Sequence, residues 1–226
     1  MVRGIAWTLW NLFLASLPVI FGRVLGRTPP GRVRAPTWGL ALAWLLLLPN
    51  TAYLMTEWRH FLFDDPFVRL RENGQSDRTA MFQTAAWGLF FVGYSAAGAL
   101  FFTLAVRPVE GLLRRRGQSV LPWAPILFIL VALGVYVGLF DRLNSWDAVR
   151  NPLGVVRRAL SALTRPSSVA AILGFAAVLV GTYVAIGYVL EGVAADWARL
   201  RAKRRAKSKT SATTPSAQRS DPEIRA

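Results

Sequence analysis

Glu57 and His60 stand three residues apart in the stretch LLLLPNTAYLMTEWRHF, residues 45–61. A carboxylate and an imidazole at that helical spacing face one another, and such a pair can pass a proton or bind a metal ion. Glu-x-x-His also supplies ligands in carboxylate di-metal bundles. His60 is the only histidine in the chain, so one subunit offers at most one imidazole ligand. At about 100° per residue, Asn50, Tyr53, Glu57, His60 and Asp64 fall within an arc of about 80°, and Arg59 points the opposite way. The plainer alternative is that Asn50 caps the helix broken at Pro49 or bonds a neighbouring helix. Glu57, His60 and Asp64 would then be headgroup-level residues.

A second polar set closes the stretch GVYVGLFDRLNSWD, residues 134–147: Tyr136, Asp141, Arg142, Asn144, Ser145 and Asp147. Asp141 and Asp147 suit ligand or acid/base roles. In plainer terms, Asp141 pairs with Arg142 or Arg59, and Asp147 begins a following helix at its electropositive end. Asn11, in WNLFLASLP (10–18), is a third polar group inside an apolar run. Glu57, His60 and Asp147 are therefore the candidates for catalysis or metal ligation. Asn11, Asn50, Tyr53, Asp64, Tyr136, Asp141, Arg142, Asn144 and Ser145 are the candidates for binding.

The elements that must position these groups are membrane helices. Hydrophobic residues make up 54% of the 226, and the mean hydropathy is +0.36, too apolar for an ordinary soluble domain. Residues 5–22, 80–106, 121–140 and 169–190 contain no Lys, Arg, Asp or Glu, and each has about the 20 residues that cross a hydrocarbon core of about 30 Å. A fifth run covers 38–57. The expectation is an all-α membrane bundle of five spans over residues 1–197, followed by a basic, largely disordered tail over 198–226. Residues 152–164 are too short to span and carry Arg157 and Arg158; they predict a helix lying in the interface, started by Asn151 and Pro152. Helices two and four end on the same face, where helix one begins. The three polar sets thus predict a one-sided polar cup, with Asn50 about 10 Å below the bilayer edge at 1.5 Å per residue.

The formal charge of +15 is spread as a membrane protein requires, so nucleic acid is not the expected partner. The N-terminal run is read as a retained helix, because four arginines follow it and only Arg3 precedes it. Five spans put 17 Lys and Arg on the side of the tail and 10 on the other. The positive-inside rule then places the N-terminus outside and the C-terminus inside. Seven of the eleven residues 199–209 are basic, which attracts anionic headgroups by roughly 1 kcal/mol each; a topology anchor is the plain reading. The final Ser, Thr, Ala and Pro-rich residues, 210–226, have the composition of a disordered end. Gly93 with Ala97, and Gly181 with Ala185, have the small-xxx-small spacing of close helix packing. The chain has no cysteine, and it carries no phosphate loop, nucleophile elbow or HExxH motif.

The three polar stretches resemble the bacterial multi-pass membrane proteins grouped as domain of unknown function 1361. One is similar to LPN-x-x-Y-x-x-T-[DE]-x-x-H, matched by Leu48, Pro49, Asn50, Tyr53, Thr56, Glu57 and His60. Another is similar to G-x-Y-x-G-x-F-x-R-x-NSWD, matched by Gly134, Tyr136, Gly138, Phe140, Arg142, Asn144, Ser145, Trp146 and Asp147. Glu57 stands where the family more often has Asp, and Leu139 where it has Arg. The resemblance implies an integral protein of the bacterial cytoplasmic membrane and brings no activity or cofactor with it. Three functions compete: a membrane-embedded enzyme or a metal or lipid-headgroup site at the outer face, a transporter or channel component, and a structural or assembly partner. The near absence of polar residues in 38–48 favours a one-sided site over a through-path.

Overall fold

A computed structural model describes residues 2–29 and 35–212 of the chain. Arg32 and Arg34, counted above in the first loop, lie outside the described residues, as does the Ser/Thr-rich end from 213 onward. The chain forms α1 (Val2–Gly26), α2 (Ala35–Leu47), α3 (Pro49–Tyr53), a 3₁₀ turn (Leu54–Thr56), α4 (Trp58–Phe63), α5 (Asp65–Asn73) and α6 (Arg78–Arg115). It continues through α7 (Trp123–Phe140), α8 (Asp147–Arg150), α9 (Pro152–Leu163) and α10 (Pro166–Ala212). Among the described residues there is no strand. Among the described residues five helical segments are long and apolar enough to cross a membrane: Ala6–Gly26, Ala35–Phe63, Arg78–Arg115, Trp123–Phe140 and Pro166–Ala202. The fold is an all-helical bundle with as many membrane-length helices as the hydropathy predicts.

Local chemistry explains where the helices start and stop. Asp77 caps α6, its carboxylate accepting from the backbone amides of Thr79 at 2.9 Å and Ala80 at 3.2 Å, which satisfies amides that have no helical partner. The other end of α6 closes with Gly117 at φ 71° and a bond from the Gln118 amide to the Leu113 carbonyl at 3.0 Å, the glycine-terminated reversal common at helix ends. Asn151 caps α9 by accepting from the Gly154 amide at 3.0 Å, and Pro152 takes the first helical position. On α9, Leu153, Val156, Leu160 and Leu163 form an exposed apolar stripe, as a helix lying in the interface requires.

Residues 1–186 form one compact unit and 187–226 a second. In the first, α1 packs along α6 and α2. Gly22 and Gly26 allow it, because a Cβ on Gly22 would run into the Ala105 carbonyl, and one on Gly26 would come within 2.7 Å of Pro108. Beside them the Trp44 indole donates to the Ala105 carbonyl at 3.1 Å. The core joins Leu48 and Ala52 of the second span to Phe102, Val131 and Val135, and to Ile172, Ala176 and Leu179 of α10. The expected packing stripes on α6 and α10 are corrected: a Cβ at Gly93 or Gly181 would meet nothing within 4 Å, so neither glycine mediates a contact in this fold. The close approaches use Gly22, Gly26, Gly98 and Gly134 instead.

The second unit is helical from 187 to 212. The basic segment 199–209 is thus helix where the sequence suggested a loose tail. Ala, Leu, Arg and Lys are good helix formers, so the run of charge does not end the helix.

Candidate functional site

The break at Pro49 is packed against α7. A Cβ on Gly134 would lie 2.6 Å from the Pro49 ring, so only glycine lets α7 come this close. This contact sets Asn50 beside the end of α7, where its side-chain amide donates to the Ser145 hydroxyl at 3.0 Å. Asn50 therefore does not cap the broken helix; it ties the second span to the loop after α7. That loop turns sharply at Arg142, whose φ is 54°, a conformation sparsely populated by residues with a Cβ. It is held by Asp147, whose carboxylate accepts from the Asn144 amide at 2.7 Å.

Between these elements lies a cavity of about 780 Å³. Asn11 of α1, Asn50 and Tyr53 of α3, Arg59 of α4, and Arg142, Asn144 and Ser145 of the loop supply its polar wall. Trp7, Trp10 and Trp146 line it too, and Leu45, Leu46, Leu130, Leu133 and Val137 make an apolar wall. Its charged lining residues are two arginines; none is Asp, Glu, Lys or His. Among the described residues neither guanidinium makes an ion pair within 4 Å. Seven of the expected site residues or their neighbours thus come together as a cup built by three spans and a loop, with α9 contributing Val155 and Ala159.

The remaining candidates lie elsewhere. Glu57, His60 and Asp64 are not on the cavity wall, whereas Arg59, expected on the opposite side, is. The second span is not one regular helix: the 3₁₀ turn Leu54–Thr56 interrupts it, so a uniform 100° projection from Asn50 does not carry past Tyr53. Asp64 has left the helix, with φ −77° and ψ 133°. The three groups form their own series: His60 Nδ1 is 2.9 Å from Asp64 Oδ2, and His60 Nε2 is 3.6 Å from Glu57 Oε2. Glu57 is buried and its Oε1 has no hydrogen-bond partner; the same holds for Asn11 Nδ2 and Tyr94 Oη. Tyr94 lies close to both Glu57 and Asn11.

Tyr136 turns away from the cup, sharing a hydrogen bond with Ser168 of α10 at 2.7 Å. Asp141 meets Arg158 at 3.5 Å rather than Arg142 or Arg59, an exposed pair of little energetic weight. Asp147 is occupied by the turn that it closes. Among the described residues no three His, Asp or Glu side chains gather where they could hold a metal ion, so Glu57, His60 and Asp147 do not assemble as a ligand set. Trp7 and Trp10 escaped the sequence reading. With Asn11 they occupy positions i, i+3 and i+4 of one helical face, a spacing that could have placed them.

A family model described as Protein of unknown function (DUF1361) matches residues 10–181, about three quarters of the chain, including both polar stretches. No curated protein and no solved structure matches.

Proposed function

We propose that this chain, which belongs to the DUF1361 family, is a bacterial cytoplasmic-membrane protein that holds an anionic, phosphate-bearing lipid in the cup between α1, α3, α7 and the 142–146 loop. The observation that carries this reading is the charge of the wall: Arg59 and Arg142, with no carboxylate beside them on it. Guanidinium groups suit phosphate oxygens through paired, charge-assisted hydrogen bonds. Asn50, Asn144, Ser145 and Tyr53 add uncharged partners, while the leucines below accept an acyl chain. A volume of about 780 Å³ falls in the range of small-molecule sites, roughly 300–1,000 Å³.

Two further features support binding over turnover or passage. No Asp, Glu or His lines the cavity among the described residues, so no general base faces a bound phosphate. Beyond the polar wall come Leu45, Leu46, Leu130 and Leu133, which offer a charged solute no onward path. With the N-terminus outside, the cup opens in the outer leaflet, and the basic segment 199–209 contacts anionic headgroups at the inner one.

The test is retention of short-chain phosphatidylglycerol by the purified protein, followed by native mass spectrometry. Wild type retains it over phosphatidylcholine of the same chain length. The double variant Arg59→Gln, Arg142→Gln loses retention by tenfold or more while its helix content is unchanged. Equal retention of both lipids by both proteins sinks the proposal.

A further inference from the structure

We propose that Glu57 and His60 hold one exchangeable proton between them, loaded from the surface through Asp64, and that this proton sets how tightly the cup holds its anion. The second half rests on the lipid-binding reading above; the first half does not.

The geometry suits a shared proton. A carboxylate oxygen only accepts hydrogen bonds, so Asp64 Oδ2, 2.9 Å from His60 Nδ1, puts the hydrogen on Nδ1. Nε2 then turns its lone pair toward Glu57 Oε2 at 3.6 Å. Two acceptors face each other unless a proton lies between them, on Glu57 as an acid or on His60 as an imidazolium. Exposure is graded along the series: the side chains of Asp64, His60 and Glu57 are 51%, 35% and 7% exposed. The series therefore leads from the surface to a buried carboxyl whose other oxygen is unpartnered.

The charged and titratable groups around Glu57 are Arg59, His60 and Asp64 from its own segment and Tyr53 beside them. Tyr94 faces it from α6, and Asn11 of α1 adjoins Tyr94. Of these charges Arg59 alone also lines the cup. Loading runs as follows. A proton from solvent reaches the Asp64–His60 pair and makes His60 an imidazolium. A small rotation of the ring closes the 3.6 Å gap, the Nε2–H bond breaks, the O–H bond on Glu57 Oε2 forms, and neutral His60 is restored. No group is oxidised or reduced. With the pair empty, the negative charge on Glu57 offsets part of the positive potential that Arg59 presents to the bound anion. With the proton loaded that offset ends. Anion binding therefore tightens as pH falls.

Two measurements on the full chain in detergent test the two halves separately. In infrared spectra taken as differences between high and low pH, wild type shows the C=O band of a carboxylic acid appearing on acidification. Glu57→Gln, which keeps the size and polarity of the side chain, lacks it, and His60→Ala moves its midpoint. In parallel, retention of short-chain phosphatidylglycerol, whose single charge is constant across the range, rises severalfold in wild type as pH falls. In Glu57→Gln it stays at the low-pH level throughout. A difference band unchanged in Glu57→Gln overturns the proton site. A band that titrates while retention ignores pH overturns the coupling. A band that titrates with no lipid retained at any pH leaves the proton site standing and sinks the lipid cup. Inorganic phosphate retained as well as the lipid, with the same pH dependence, reassigns the ligand to a free anion.

Discussion

Asn50 donates to Ser145 across 95 residues of sequence, at 3.0 Å, and joins the two most recognisable stretches of the chain. The bond is half-buried and joins the second span to the loop after α7. Removing it by Asn50→Ala or by Ser145→Ala is expected to cost about 1 kcal/mol. For a chain of this size that is a fall of about 2–4 °C in Tm. The double variant should fall little further, because the single changes delete the same interaction. Tryptophan fluorescence during thermal unfolding reads all three; additive losses would show that the two side chains act independently.

Gly134 and Gly93 make a contrasting pair. A methyl group at Gly134 would lie 2.6 Å from the Pro49 ring, whereas one at Gly93 meets nothing within 4 Å. Gly134→Ala is expected to lose about 1–3 kcal/mol through overpacking and to push the 142–146 loop off its seat. Gly93→Ala should be neutral or gain up to about 1 kcal/mol from helix propensity. Tm values for the two variants, measured side by side, check the difference in sign.

The same residues show how far the sequence can be read. Charge-free runs announced four of the five membrane-length helices, the apolar run up to Glu57 announced the other, and Asn151-Pro152 announced α9. The shared exit face of helices two and four announced a cup containing Asn11, Asn50, Arg142, Asn144 and Ser145. The phase beyond Leu54 was not legible. The 3₁₀ turn is pressed against α6, where a Cβ on Gly98 would lie 2.8 Å from both Leu54 Cβ and the Thr51 carbonyl, so a tertiary contact 44 residues away accompanies the break in the helix after Tyr53. Asp147 misled for another reason. A carboxylate in a polar loop looks like chemistry, yet its partner is the backbone amide of Asn144, which no side-chain pattern reveals. Small-xxx-small spacings occur on several helices, and packing alone selects Gly22 and Gly26.

Single cysteines are informative in a chain that has none. Ser76→Cys follows α5, Thr164→Cys follows α9, and Ser119→Cys lies between α6 and α7; all three positions are exposed. Five spans put the first two on one face and the third on the other. With the N-terminus outside, a membrane-impermeant maleimide added to whole cells should label positions 76 and 164 and reach 119 only after lysis. Labelling of 119 alone would invert the orientation, and labelling of 76 without 164 would break the five-span topology.

Arg142 combines a strained backbone with a charge on the cavity wall. At φ 54° a residue with a Cβ carries about 1 kcal/mol or more of strain that glycine does not, yet glycine has no guanidinium. Arg142→Gly should therefore separate stability from binding. Its Tm is expected to hold or rise by a few degrees, while phosphatidylglycerol retention falls severalfold. Arg142→Gln keeps the strain and removes the charge, so it should bind as poorly as glycine without the gain in Tm. If the glycine variant instead loses Tm and retains lipid, the side chain serves to hold the loop and the anion rests on Arg59 alone. Thermal unfolding and native mass spectrometry on the three proteins decide between these outcomes.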